Sequence, residues 1–440
     1  MEKNNSGRPL PIFGNIGAIA VIVGIVVGIG IFRLPTMVAQ NSASGIEYLS
    51  FWLAGGLISI LGALCYAELA ANHPDAGGEY HFLSEAFGPG IGFLFSWGRM
   101  TVIQTGSIAL AAFILGDYAT VIYDLGPNSE AIYAGCTVIG LTVINILGTR
   151  PSKNMQTIAT TLIIGLLLVA GFTGLLSAPA SAEVPETPAS TSVGTAMIFV
   201  LLTYGGWNEG VYLSAELKDV RKNISRVLII ALGTITIIYL LVNSAYLHVL
   251  GLESLRNSDT IGVSLINQIT GGHGSYAIAI LVILSALSTA NATIITGART
   301  NYALGRDFPI FKIIGRWTDT SNAPVNALIV QGIITIGLVI LGSFTQEAVS
   351  TMVDYTAPVF WFFFLLTTAS LFIFRRQPNS RDRYYSVPLY PLTPIIFIIV
   401  CAYLLYSSIV FTGWGALLGI GILLLGSPFY FFSQRYSSSE

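Results

Sequence analysis

Apolar residues gather into about twelve long runs, at 14–37, 46–71, 91–119, 131–149, 155–176, 194–215, 227–250, 274–298, 323–342, 350–374, 392–411 and 413–432, separated by shorter polar stretches. Each run has roughly the 20 residues a helix needs to cross about 30 Å of hydrocarbon. The runs lack the short alternating segments of an outer-membrane barrel. The pattern therefore predicts an all-α integral membrane protein with 12 transmembrane helices. Two runs are interrupted, the first by Val26-Val27-Gly28-Ile29-Gly30-Ile31 and the sixth by Tyr204-Gly205-Gly206-Trp207-Asn208. Membrane helices tolerate single glycines, but paired glycines beside Trp and Asn leave backbone groups free to bind something. Discontinuous helices 1 and 6, at matching places in two halves, point to a midplane substrate site in a secondary transporter.

Composition narrows the class. Hydrophobic residues make up 53% and charged residues 10% of the chain, whereas soluble domains carry roughly a quarter charged residues. The net charge of −2 identifies no partner, and no nucleic acid is expected. Lys3 and Arg8 precede a first apolar run that lacks a small-residue cleavage site, so it is expected to stay as a helix. Cys65, Cys136 and Cys401 sit inside apolar runs without pairing patterns and read as small buried hydrophobes. His73, His81, His248 and His273 lack metal-ligand spacing. No metal or cofactor is expected, apart from a coupling proton or sodium ion. An embedded enzyme would need HExxH, GxSxG or a comparable motif, and a channel would need charge rings or a filter loop; neither is present in the sequence.

With a cytoplasmic N-terminus and alternating helices, all but Arg33, Arg99 and Arg256 of the 20 Lys and Arg residues fall on the cytoplasmic side. This bias predicts a multi-pass plasma-membrane protein with both termini in the cytoplasm. The Pro-rich, small-polar stretch 177–193 reads as an extracellular linker between two halves, 14–176 and 194–374. Five crossings in each half make the second an inverted copy of the first. Around them lie an N-terminal tail at 1–13, a basic cytoplasmic loop at 375–391, helices 11 and 12 within 392–432, and a C-terminal tail at 433–440.

The charges inside the membrane are the next candidates. Glu209 follows the second break and Glu216 lies seven residues further along the same helical face. Three roles stay open for Glu209: an acid in the first turn of a half-helix, a proton carrier, or a partner for a cationic substrate group. Glu216, near Lys218, Arg221 and Lys222, and Glu68, at the end of helix 2, belong either to static ion pairs or to a gate. Arg99 cannot face lipid at its depth, and Glu68 or Glu209 are its candidate partners. Trp207 is either a pocket wall or a packing anchor. Asn208 must bond across to helix 1 or contact substrate. Ser285, Ser288 and Thr289 offer hydroxyls for a sodium ion or for their own helix backbone.

Taken in order, several segments resemble one family. They are Gly28-Ile29-Gly30-Ile31-Phe32 with Pro35, Tyr66-Ala67-Glu68-Leu69, Pro74-Asp75-Ala76-Gly77-Gly78-Glu79-Tyr80, Tyr204-Gly205-Gly206-Trp207-Asn208, Glu216-Leu217-Lys218-Asp219 and Tyr302-Ala303-Leu304-Gly305-Arg306-Asp307. The set resembles the amino acid, polyamine and organocation transporters, and the Tyr-Gly-Gly-Trp-Asn form looks most like the L-type amino acid transporter branch. The resemblance implies a leucine-transporter-type fold with a five-plus-five inverted repeat, and transport of amino acids, neutral ones first, by exchange or cation-coupled symport. The alternative is a carrier of cationic amino acids or polyamines. It also implies that backbone at Ile29, Gly30 and Ile31 holds the substrate carboxylate, and that carbonyls of Val26, Val27, Leu202 and Tyr204 hold the amine. Glycine is expected at Gly28, Gly30, Gly205 and Gly206 so that backbone can approach the ligand. Leu202 stands where L-type relatives commonly carry an aromatic gate, Ile29 where a small polar residue is common, and helix 5 has no lysine beyond Lys153. Membrane lipid is the other expected contact, and nothing in the pattern specifies an accessory subunit.

Overall fold

The computed structural model describes residues 14–437, apart from 75–76, 148–152, 181–191, 213–218, 272–273, 319–320, 322, 346, 378–382 and 411–412. Glu216, most of the linker and both tails thus lie outside the described residues, except for 433–437. Helices follow in the order α1 Asn15–Val26, α2 Leu34–Gln40, α3 Gly45–Asn72, α4 Glu79–Phe87, α5 Pro89–Gly98, α6 Gln104–Ile122, α7 Ser129–Ile146, α8 Lys153–Leu176, α9 Val193–Thr203 and α10 Glu209–Tyr212. The order continues with α11 Val220–Arg256, α12 Ile261–Thr270, α13 Ser275–Asp307, α14 Val325–Ser343, α15 Ala348–Arg376, α16 Leu392–Val410 and α17 Trp414–Ser437. A π-helical turn, Arg99–Ile103, joins α5 to α6. Among the described residues, nine helices are long and apolar enough to cross a bilayer, counting α5 to α6 as one.

Outward-facing Ile139, Phe172, Ile237, Ile333 and Leu424 are exposed. Apolar surface on this scale belongs in lipid rather than in water. Cys136 is exposed as well, unlike Cys65 and Cys401, because it lies on the outward face of α7. Local chemistry sets several helix ends. Ser44 caps α3 by accepting from Glu47 N–H, and the Glu47 carboxylate accepts from Ala43 N–H at 2.6 Å, a reciprocal cap. The two short helices α4 and α12 do not cross, and hydropathy runs did not announce them. They matter because they cover opposite ends of the bundle.

Both expected breaks are present. α1 stops at Val26, a 3-10 turn covers Ile29–Phe32, and α2 resumes at Leu34 with Pro35 in its first turn. α9 stops at Thr203 and α10 starts at Glu209. The long α11, kinked at Gly251 where φ is +74°, packs along α3 and α8, and α13 packs along α6, so longer helices enclose the broken segments.

Candidate functional site

The breaks open onto one cavity of about 350 Å³. Ile25, Val26, Gly28, Ile29 and Gly30 form one wall, and Leu202, Thr203, Gly205, Gly206, Asn208 and Glu209 form the facing one. Ile103, Phe360, Phe363 and Phe364 make the cavity largely apolar, with Gln104, Ser107, Thr289 and Thr293 as polar points. It extends along α5 and α6 toward α4, reaching Phe95 and Glu79.

Gly206 has φ +104°, and a Cβ there would sit 2.9 Å from Ile25 Cγ2. At Gly205 a Cβ would lie 2.8 Å from the Leu202 carbonyl oxygen. Glycine is therefore required at the second break by the protein's own backbone. At Gly28 the nearest atom to a Cβ would be Thr289 Oγ1, at an ordinary 3.6 Å.

One tyrosine ties the two breaks together. The Tyr239 hydroxyl on α11 lies 2.9 Å from the Val26 carbonyl oxygen and 3.0 Å from that of Thr203. It carries one proton, so it donates to one of them at a time. The Val26 oxygen also accepts from Gly28 N–H at 2.8 Å, and the Leu202 oxygen accepts from Gly205 N–H at 2.9 Å. These two carbonyls, expected to receive a substrate amine, are thus already engaged. Replacing Tyr239 by Phe is expected to raise the KM for uptake about three- to tenfold, one net hydrogen bond's worth, without loss of folded protein. Uptake kinetics beside a solubilised melting curve check this, and an unchanged KM would show the link to be idle.

Several expected site residues turn their side chains away from the cavity. The Ile31 and Val27 side chains are buried among helices, which concerns their side chains and not the backbone expected to bind. The Tyr204 hydroxyl donates to the Trp52 carbonyl at 2.9 Å, which turns its ring away toward α3. Trp207 packs edge-on against Tyr66 with ring centroids 5.1 Å apart, and also against Phe364 and Phe397. It is a packing anchor. Of the three α13 hydroxyls, Thr289 lines the cavity, while Ser285 and Ser288 do not; Ser285 is buried on the packed face of α13.

The charged residues sort differently from expectation. Arg99, in the π-helical turn, donates through Nη2 to Glu209 Oε1 at 2.7 Å. Its Nη1 lies 3.7 Å from Glu79 Oε2. With its amide oxygen toward the guanidinium, Gln104 accepts from Nε at 3.1 Å and Nη2 at 2.9 Å. Glu79 also accepts from the Tyr66 hydroxyl at 2.8 Å and from Asn208 Nδ2 at 3.3 Å. Asn208 therefore reaches toward α4 rather than helix 1. Burial pushes the Glu79 carboxyl above its usual range, against the opposing pull of Arg99 and the Tyr66 hydroxyl. Glu68 is not a partner of Arg99, because Arg375 holds it through Nε at 2.7 Å and Nη2 at 2.5 Å.

At the opposite end, α2 is tied beneath α12. Arg33, with a side chain 6% exposed, pairs with Asp117 at 3.2 Å, Asp259 at 2.7 Å and Glu347 at 3.5 Å. The Tyr118 hydroxyl donates to the Phe32 carbonyl at 2.9 Å and accepts from Gly262 N–H at 3.1 Å. Arg256 donates to the carbonyls of Ala39 and Ser42, at 3.2 and 2.8 Å. These bonds seal the cavity on the α12 side.

A paired break over a central cavity, closed at one end, is the arrangement of an alternating-access carrier. Residues 13–425 match the family model described as amino acid permease. The chain belongs to this family. The permease is 30% identical over 439 residues to the b(0,+)-type amino acid transporter 1 of Mus musculus, covering 96% of this chain and 88% of that protein. It is 26% identical over 442 residues to the Asc-type amino acid transporter 1 of Mus musculus, covering 97% and 81%. With the large neutral amino acids transporter small subunit 2 of Homo sapiens it shares 27% identity over 434 residues, covering 95% and 79%. The permease is thus a multi-pass amino acid transporter of the amino acid, polyamine and organocation superfamily, on its L-type branch, and not an enzyme.

Sequence reasoning missed Tyr239, Gln104, the part played by Glu79, and the Arg33 cluster. Tyr239 sits in an unbroken apolar run, and the Arg33 partners are scattered along the chain. An arginine directly after the first break was the one available signal.

Proposed function

We propose that this permease moves neutral L-amino acids across the plasma membrane by alternating access, with the α4 side facing the cytoplasm. The observation that carries the substrate class is the 2.7 Å bond from Arg99 to Glu209. It commits Glu209, one of the two carboxylates lining the cavity, while the other, Glu79, faces the same guanidinium at 3.7 Å and accepts from Tyr66 and Asn208, so both are engaged within the protein rather than by a cationic side chain. Backbone at Ile29 and Gly30 then receives the substrate carboxylate near the start of the second half-helix. The Thr203 carbonyl and the Tyr239 hydroxyl lie on the amine side, and the phenylalanines take an apolar side chain. The orientation is supported by the positive-inside bias of the sequence.

Uptake of a labelled amino acid panel into proteoliposomes with empty and amino-acid-loaded lumens tests this reading. Neutral amino acids are expected to enter. Stimulation only by internal substrate identifies an exchanger, and uptake into empty vesicles that follows a proton or sodium gradient identifies a symporter. Uptake confined to cationic amino acids or polyamines would overturn the neutral reading. Glu209→Gln adds a second check. Because its carboxylate is held by Arg99, the variant is expected to lower the rate severalfold for all substrates alike. Selective loss of cationic substrates would instead assign Glu209 to charge recognition.

A further inference from the structure

A second cavity, of about 240 Å³, lies away from the helix breaks, where α3 and α15 end on the α4 side. Leu69, Leu371 and Phe374 give it an apolar wall, and His73, Gln377 and Arg383 line it with polar groups. Its acid is fully engaged: Arg375 holds both Glu68 oxygens, and Val387 N–H donates to Oε2 at 2.6 Å. Asn72 donates to the carbonyls of Glu68 and Tyr385, and its oxygen accepts from Tyr384 N–H at 2.8 Å. The Arg375 guanidinium lies 3.5 Å from the centre of the Tyr390 ring. These bonds fix a frame joining α3, α15 and the segment that leads into α16.

Among the described residues, this frame holds more arginine than acid. Among the described residues Arg383 makes no ion pair, and Arg221 lies over the Tyr384 ring at 3.8 Å with no carboxylate partner. Among the described residues Glu85 lies beside the frame, 3.9 Å from His73 Nδ1 and 3.2 Å from His81 Nε2. The His73 ring packs against Phe374 at 4.2 Å, and burial holds its imidazole below the ordinary value. His73 is therefore a neutral hydrogen-bonding group near pH 7, and the charge comes from arginine.

We infer that this cavity binds a phosphate group, with Arg383 pairing its charge and Gln377 and His73 hydrogen-bonding its oxygens. A guanidinium suits phosphate because its planar fork meets two oxygens at once. The cavity lies at the level where the apolar spans end, so the phosphate comes either from an anionic lipid headgroup or from solution. The occupant would brace the ends of α3 and α15 against each other. That this face is cytoplasmic rests on the orientation proposed above; the binding does not.

The test uses the full chain in phosphatidylcholine nanodiscs, with and without phosphatidylglycerol, and follows the melting temperature. Inorganic phosphate is titrated into the first set at constant ionic strength set with chloride. One of the two sources is expected to raise the melting temperature saturably. Arg383→Gln is expected to need about tenfold more of it, the loss of one charge-assisted contact, while stabilisation by amino acids stays unchanged. A response to phosphate in neutral discs identifies a soluble ligand; a response only to phosphatidylglycerol identifies a lipid. Gln377→Leu, which changes no charge, is expected to weaken the same response by a smaller factor. No response to either source, or equal responses in wild type and Arg383→Gln, would overturn the inference. The amino acid arm reports separately on the transport site.

Discussion

Replacing Arg99 by Met is expected to cut uptake at least tenfold and to lower the melting temperature of the solubilised permease, the largest effect of any single change at the site. The Arg99 side chain is 5% exposed and its guanidinium faces two carboxylates, Glu209 at 2.7 Å and Glu79 at 3.7 Å. Removing it leaves both acids in a poorly hydrated cavity, at a cost of about 3 to 5 kcal/mol for a broken buried pair. Glu79 can answer by taking up a proton, so the damage should shrink as pH falls. Burial already favours the protonated form of Glu79, and losing Arg99 removes an opposing influence. Folded states that bind extra protons gain stability as pH decreases.

A cycle of variants separates this electrostatic account from simple loss of packing. Arg99→Met combined with Glu209→Gln and Glu79→Gln removes all three charges together. The triple variant is expected to recover most of the melting temperature, because a neutral cluster of similar volume is well tolerated where a broken ion pair is not. Failure to recover would mean that the arginine stem, not its charge, holds α5, α4 and α10 together. Transport need not recover with stability, since the π-helical turn that positions Arg99 also directs Gln104 at the cavity.

The hydrocarbon layer made most of the architecture legible. A crossing helix must be long and apolar, so spans such as 46–71 and 392–411 fall within one residue of α3 and α16 at each end. The breaks were legible for a related reason, since paired glycines in such a run have few other uses. Side-chain direction was not. Trp207 and Tyr204 adjoin the second break, yet each ring finds partners on α3, α11 or α15, and nothing in the local sequence tells which way it turns. Long-range pairing was hidden for the same reason. Arg99 and Glu209 are 110 positions apart, and Glu79 reads as a loop acid until α4 folds under the bundle. Where two acids compete for one arginine, as Glu68 and Glu209 did, a second cation, Arg375, decided the assignment from the other end of the chain.

Replacing Arg33 by Gln is expected to open the α12 side of the permease. Arg33 occupies the N-cap position of α2, and its side chain binds acids from α6, from the segment before α12 and from the start of α15. Asp259 and Glu347 are well exposed, so water screens those two contacts and each contributes little. Asp117 is different, because its side chain is 6% exposed and depends on Arg33 for its counter-charge. In the closed arrangement the variant leaves that carboxylate buried and alone, whereas an opened vestibule would hydrate it. A bias of only about 1.4 kcal/mol toward the open form is a tenfold shift in population. The measurement is the rate at which a membrane-impermeant thiol reagent, added from the α12 side, labels Ser107→Cys in a background lacking Cys65, Cys136 and Cys401. Ser107 lines the cavity, so labelling requires a path past α12. A roughly tenfold faster reaction in Arg33→Gln is expected, together with slower net uptake as the carrier dwells in one orientation. Unchanged labelling would mean that the bonds of Tyr118 and Arg256 hold the α12 side closed without help from Arg33.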